Sequence, residues 1–451
     1  MTEAFDVIVV GAGCAGSPLA ASLAARGLRV CLIDRARFPR EIPSTHMVHS
    51  SGVARLARLG LMDKLLATGA PPLDRGAFVL EDVRIESDAT VTGRFDAPWL
   101  CIRRTVLDTL LLGAAEEAGA QLRTQTKVIG LVEDGGEVQG VRTDTGILRA
   151  PIVVGADGPH SVVARLTGAR EYHVTPPGRM FMWAYFEGAA ARSDAVLGRI
   201  NDLGFLGLST DDGLFLAGVA PSMADRDAYL SRLEERFWAG LAQIDELSDA
   251  LVPAKRVGPI RVMSRWHGYF RQAAGPGWVL VGDAGHFKDP TPAQGISDAL
   301  RQAEKLGHVI ETGLDRSDLT SRLGAWWLWR DDDAWDMYWF AVDMGTVGPV
   351  PRTVTEVMRG LGREPDGALQ FLRVLNHDVS PSALFTPRRT LRALGKFAAA
   401  QPVAFARIFP EVRTLFAEQA RRRRLKRQPV PSQLDTGVAP NLKASTIAGV
   451  S

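Results

Sequence analysis

Apolar residues follow two rhythms along this chain. Short apolar runs, Val7 to Val10, Leu28 to Ile33 (interrupted only by Arg29), Ile152 to Val154 and Trp278 to Val281, each stop at a glycine or an acid. Such runs are expected of parallel strands covered on both faces. Longer stretches carry helical spacing: the alanine-rich segment from Gly16 to Gly27, the segment opened by Arg104, the segment from Ala224 to Ala242, and most of the chain after 310. Between the first and last runs lie strand-like pieces set off by turn signals. Asp134-Gly135-Gly136 and Asp144-Thr145-Gly146 divide a small meander, and Asp211-Asp212-Gly213 joins two strands. "RMFMWAYFEG" and "RVGPIRVM" read as further strands of a second sheet.

The strand ends carry the chemistry. Gly11, Gly13 and Gly16 form G-x-G-x-x-G between a strand and a helix, and Asp34 closes the next strand. Gly11 permits the tight turn, Gly13 lets backbone approach a pyrophosphate, and Gly16 allows helix and strand to pack closely. The helix start favours phosphate charge, while Asp34 stands where a ribose hydroxyl would be held. This context predicts a dinucleotide site. "GWVLVGDAGHFKDPTPAQGISDAL" repeats the device: Asp283 ends a buried strand beside a helix start, an arrangement suited to a polar, partly anionic ligand.

Composition narrows the class. At 451 residues the chain is long for one core, so two or three domains are expected. It is 46% hydrophobic and 23% charged, with formal charge +2, which gives no general pull toward nucleic acid or membrane. Cys14, Cys31 and Cys101 lack metal or disulfide spacing and fit a reducing cytoplasm; no metal site is expected. Glu3 and Asp6 stand where a signal peptide needs positive charge. The tryptophan-rich segment near 327 is interrupted by Asp331 to Asp333, which excludes a membrane span there. The basic run Arg421 to Arg424, Lys426 and Arg427 reads as a solvated helix end, and 429–451 as a disordered tail.

Together, "GAGCAG", "GADGPHSVVAR" and "GDAGHFKDPTPAQG" resemble, in order and spacing, the flavoprotein monooxygenases of the para-hydroxybenzoate hydroxylase fold. The resemblance spans about residues 5 to 310 and is related to flavin halogenases and geranylgeranyl-type reductases. It implies an α/β fold: a Rossmann-like FAD-binding domain of the glutathione-reductase type, an inserted antiparallel β-sheet substrate domain, and a helical C-terminal region. The implied segments are 1–75, 99–175 and 269–310 for FAD binding, 76–98 and 176–268 for the substrate sheet, and 311–428 for the helices.

It also implies that FAD is held by Gly11, Ala12, Gly13, Ala15, Gly16, Asp34, Arg35, Arg40, His46, Arg104, Val128, Asp157, Gly158, Gly282, Asp283, Pro290, Gly295 and Ile296. Asp157, Gly158, Ser161 and Arg165 take the middle motif's positions, and Asp283 that of the acid facing the ribityl chain. The loop holding Arg40, Ser44, Thr45 and His46 passes the pyrophosphate and ring in relatives. His46 and His49 are weighed as acid–base groups, but loop histidines are more often ordinary polar residues; His286 reads as structural. Met180, Met182, Trp183, Tyr185 and Phe205 are candidates for an apolar substrate pocket, of which strand alternation admits about half. The last motif departs from the family's Gly-Asp-Ala-Ala-His by Gly285, and Ala293 replaces the first later glycine while Gly295 keeps the second.

The implied reaction is hydroxylation or epoxidation of an aromatic, polycyclic or alkene small molecule by O₂ through a flavin C4a-hydroperoxide. Only one G-x-G-x-x-G is present, so NADPH or NADH binds transiently, or a separate flavin reductase supplies electrons. No side chain need act as catalyst, since the cofactor carries the chemistry. Double-bond reduction is the alternative. Halogenation is disfavoured because Trp327-Leu328-Trp329 follows the Gly-Asp motif instead of preceding it and lacks the halogenase ending.

Overall fold

The apolar runs form the strands of a parallel sheet. In this computed structural model, which describes residues 3–44, 46–73, 75–88, 97–189, 194–314, 318–405 and 408–428, Val7–Val10 lies at its centre. Val7 pairs with Val30 on one side and with Ile152 on the other. The six-stranded order is Ala274–Gly275, Trp278–Leu280, Ile152–Gly155, Val7–Val10, Val30–Ile33, Gln121–Arg123, parallel except at the first strand. Helices Gly16–Ala24, Arg104–Glu117 and Gly295–Gly313 pack together over this sheet. All four residues of each of the strands Val7–Val10, Val30–Ile33 and Ile152–Gly155 are buried, which explains their lack of alternation.

The meander folds as expected, with Val128–Asp134, Glu137–Thr143 and Gly146–Arg149 antiparallel and Glu3–Ala4 added in parallel. It approaches the parallel sheet so closely at Gly277 that a Cβ there would lie 1.9 Å from the Val138 carbonyl oxygen.

A seven-stranded sheet forms the second layer. Its order is Lys255–Met263, Phe181–Glu187, Phe215–Ala220, Leu203–Ser209, Asp194–Ile200, Arg75–Leu80, Val83–Asp88, with one parallel pair between Arg75–Leu80 and Asp194–Ile200. One face packs on Leu233–Leu241 and Asp245–Leu251; the other meets the C-terminal helices and the cavity. The single helix expected from Ala224 to Ala242 is broken into Arg226–Ser231 and Leu233–Leu241, because Arg232 leaves helical geometry at φ −135°, ψ 51°.

After 318 the described chain is helical. Leu319–Gly345 runs 27 residues, and its aromatic side, Trp335, Tyr338 and Trp339, packs on Phe270. Arg330 is buried in it, held by the Arg271 carbonyl and Asp331. Among the described residues no helix is long and apolar enough to cross a membrane. The tail from 429 and Thr45 lie outside the described residues.

Candidate active site

Strand ends from the parallel sheet open into a cavity of about 1340 Å³ beneath the seven-stranded sheet. Gly11, Gly13, Ala15, Asp34, Arg35, Arg40, Arg104, Val128, Asp157, Gly158, Gly282, Asp283, Pro290, Gly295 and Ile296 line it. Ala12 and Gly16 stand behind the wall. The Ala12 N–H is held by Asp34 at 2.8 Å, and Gly16 packs where a Cβ would lie 1.8 Å from the Gly11 oxygen. Gly11 sits at φ +106°, with its α-carbon pressed on the Ala156–Asp157 peptide. Gly13 differs. Space above it is limited only by two guanidinium tips, Arg104 at 3.4 Å and Arg40 at 3.5 Å from an ideal Cβ.

Those arginines are positioned by two acids, Asp34 and Asp108, of which sequence spacing singled out only the first. Arg104 opens its helix and makes a bidentate pair with Asp108, one turn on and fully buried, at 2.7 and 2.9 Å. Arg40 donates to Asp34 at 3.0 Å and leaves its buried Nε without a hydrogen bond. The signal for Asp108 was the i, i+4 spacing on a helix whose first turn faces the glycine loop.

The three strand-end carboxylates are not equivalent. Asp34 accepts the Ala12 and Ala36 N–H groups. Asp157 accepts Ser161 Oγ at 2.5 Å and Val162 N at 2.6 Å, while Ser161 caps the Val162–Leu166 helix. Asp283 accepts no hydrogen bond from the described residues. Burial pushes its carboxyl up to about 6, against the opposing charge of Arg104. Its acceptor capacity therefore faces the cavity unspent.

Beyond Asp283 the wall continues through His286, Lys288, Asp289 and the turn to the Gly295–Gly313 helix. Lys288 lies inside the proline-loop motif yet escaped the sequence reading. Its ammonium pairs with Asp298 at 2.6 Å and donates to Gln294 at 2.7 Å. Burial alone would raise Asp298, but Lys288 and His377 hold it well below the carboxylate range. Lys288 thus neutralises an acid that sits in the first turn of this helix. Ala293 adopts φ +54°, the left-handed conformation its missing glycine would take freely.

Alternation divides the second sheet's candidates. Phe181 and Trp183 line the cavity, joined by Met263, Trp266 and Phe287. Met180, Met182 and Phe205 point the other way, into the core formed with Phe237 and Leu241, so they do not line it. Tyr185 shares Trp183's face but lies off the cavity wall, its hydroxyl 2.5 Å from His46 Nε2.

His46 is also off the wall, unlike its neighbours Ser44 and Met47. It packs on Tyr185 and edge-on to Trp183, and burial lowers it to about 3. His49 Nε2 donates to the Pro292 carbonyl, 2.9 Å away, and burial lowers its pKa to about 4. Neither is an acid–base group near neutrality. His286 lines the cavity against Phe270, and burial holds it well below its ordinary value.

The cradle fits FAD. A glycine turn lies open under two guanidinium groups, and an unpartnered carboxylate and a helix start lie further along the same wall. The volume exceeds the roughly 300–1,000 Å³ of a single small-ligand site. These features define a flavin-dependent oxidoreductase. The chain belongs to the FAD binding domain family, whose model matches residues 4–319.

It is similar to a 6-methylpretetramide 4-monooxygenase of Streptomyces rimosus, at 30% identity over 70% of this chain and 78% of that one. It is also similar to a menaquinone reductase of Mycolicibacterium smegmatis, at 26% identity over 69% and 78%. The fold resembles that of the flavin-dependent brominase Bmp2, with TM-score 0.70 and 19% identity over 88% of this chain and 100% of that one. The chain is an FAD-dependent oxidoreductase of the monooxygenase kind, with FAD as cofactor and NAD(P)H as the donor typical of its class.

Proposed function

We propose that the protein hydroxylates a flat polycyclic aromatic molecule held between the flavin and the aromatic face of the seven-stranded sheet. The observation that carries this reading is the wall of Phe181, Trp183, Trp266 and Phe287 facing Asp283 and the Gly295–Gly313 helix across one cavity. The first relative's name, a 6-methylpretetramide monooxygenase, supports a substrate of that shape.

Bound flavin, once reduced by a nicotinamide and exposed to O₂, supplies the oxygen atom for transfer. The chain's own work is binding, orientation and exclusion of water. Arg40 and Arg104 would hold the pyrophosphate above Gly13. Asp283 would accept from a ribityl hydroxyl, and backbone N–H groups at Gly295 and Ile296 would donate to an acceptor edge of the ring. Asp34 holds the Ala12 turn and would face the ribose, while Asp157 shapes its own helix start instead of spending an oxygen on ligand. Val128 and Arg35 would border the adenosine end. His286 stays neutral and shapes the wall.

The fold is read as the glutathione-reductase type, with FAD segments 1–75, 99–175 and 269–310, substrate sheet 76–98 and 176–268, and helices over 311–428. A cytoplasmic location suits three buried free thiols. The second reading, double-bond reduction, is favoured by the menaquinone reductase relative. Anaerobic reduction by NADPH and by NADH, followed by air and a panel of polycyclic phenols, decides between them. Hydroxylation yields product sixteen mass units heavier. Slow reoxidation with two hydrogens added to an alkene would reassign the protein as a reductase. Failure of both nucleotides to reduce the flavin would point to a separate reductase partner.

A further inference from the structure

The Phe409–Lys426 helix is built inside out. No residue of it is buried. Its attachment is polar: Arg422 pairs with Asp343 at 2.6 Å and Glu418 at 2.8 Å, and Lys426 pairs with Asp332 at 2.8 Å. Arg421 and Arg422 lie over the Trp339 ring at 5.3 and 4.7 Å, and Leu425 packs beside that aromatic cluster. At about 100° per residue, Glu418, Arg422 and Leu425 share this inward side. The same spacing places Phe409, Arg413, Phe416, Ala420, Arg423 and Arg427 on the opposite one, with Arg424 at its edge.

That outer side is exposed along its length. Phe409 is 65% and Phe416 68% exposed, and Val403, six residues before Phe409, is 74% exposed. Among the described residues Arg413, Arg423, Arg424 and Arg427 make no ion pair. Phe416 and the last three arginines line a shallow depression of about 450 Å³ with Gln419 and Ala420. The face is therefore aromatic toward its start, where Arg413 lies between Phe409 and Phe416, and carries a cluster of unpaired guanidinium groups toward its end, with no acid between them.

We propose that this face docks the enzyme on an anionic lipid surface, with the arginines at phosphate level and Phe409 and Phe416 at the boundary of the acyl chains. Both halves of the face then find complementary surroundings. A second copy meeting it about a two-fold axis would set arginine against arginine in a parallel pairing, and in an antiparallel one would set the arginines against Phe409 and Phe416 with no acid to neutralise them. A nucleic-acid backbone would satisfy the arginines and leave Val403 and both phenylalanines in water. The face lies on the C-terminal helix and shares no residue with the cavity wall, so FAD binding and docking are separable.

The test uses FAD-loaded enzyme floated with phosphatidylcholine vesicles with and without phosphatidylglycerol, at low and high salt. Flotation is expected only with the anionic lipid and is lost at high salt. Replacing Arg423, Arg424 and Arg427 together by Gln should weaken it about 100-fold, at roughly five-fold per basic residue. Phe409→Ser with Phe416→Ser should also abolish it. Flavin content and nicotinamide oxidation, read in each variant, should match wild type. The proposal is overturned if the loaded enzyme fails to float with anionic vesicles, or if the triple variant floats as well as wild type. Capture by heparin or duplex DNA without vesicle binding would overturn it in favour of a nucleic acid. A dimer dissociated by the serine variant, without lipid binding, would overturn it in favour of a second copy.

Discussion

The two sheets around the cavity use the same extended backbone but place their working groups differently. The parallel sheet is buried on both faces, so its side chains are spent on packing and its strand ends open on the cavity. Gly11, Asp34, Asp157 and Gly282-Asp283 all sit where a strand stops. The seven-stranded sheet has one face against helices and one toward the cavity, so its working positions alternate within a single strand. Phe181 and Trp183 face the cavity while Met180 and Met182 face the helices. Damage at strand ends should strike the cofactor; damage along Phe181–Glu187 should separate substrate affinity from stability, residue by residue.

The largest effect belongs to the glycine turn. Gly16→Val would drive a side chain into backbone 1.8 Å away, at a cost above about 4 kcal/mol, and should give insoluble or colourless protein. Gly13→Val meets only arginine tips, so it should leave a folded protein that retains little flavin. Absorbance per mole of folded protein distinguishes the two, and equal flavin retention in both would break the assignment of separate roles.

Next comes the alternation itself. Trp183→Ala should raise KM for substrate about 10-fold or more while keeping FAD, since it strips an aromatic wall. Met182→Ala should lower stability by about 2–5 kcal/mol with KM unchanged. If Met182→Ala moves KM and Trp183→Ala does not, the cavity lies on the other face.

Asp283 offers a trade between binding and stability. Its folded carboxyl titrates near 6, above the 3.8 of an unfolded chain, so its ionisation opposes folding. That cost is fully present above pH 6, shrinks between about 6 and 4, and vanishes below. Apo Asp283→Asn should therefore be more stable than wild type by roughly 3 kcal/mol at pH 7, with the gap closing as pH falls through that window. The same variant should bind FAD more weakly. A gap independent of pH would show that the carboxylate is satisfied in the apoprotein.

The smallest effect is at Ala293. A left-handed alanine costs about 1–2 kcal/mol, partly offset by the extra unfolded-state freedom of glycine. Ala293→Gly should raise the melting temperature by about one or two degrees, and Ala293→Val should lower it.

Sequence alone determined where the strands of the parallel sheet end beside the cavity, because a tight turn or close approach admits few residue types. Gly11, Gly13, Gly16, Asp34, Asp157 and Asp283 were legible for that reason, as were the apolar runs leading to them. Arg104 was legible by its place in a motif. What remained hidden depended on direction or on distant partners. The face on which Trp183 or Met182 lies follows from how the strand meets its neighbours, since a one-residue change of register exchanges the two faces. Tyr185 faces the cavity side yet is covered by His46, 139 residues away in sequence. Asp34 and Asp157 look like Asp283 in sequence, but folding commits their oxygens to nearby N–H and hydroxyl groups and leaves those of Asp283 free. Only tertiary structure decides that, because a hydrogen bond is made by the geometry of both partners and a residue type supplies only one.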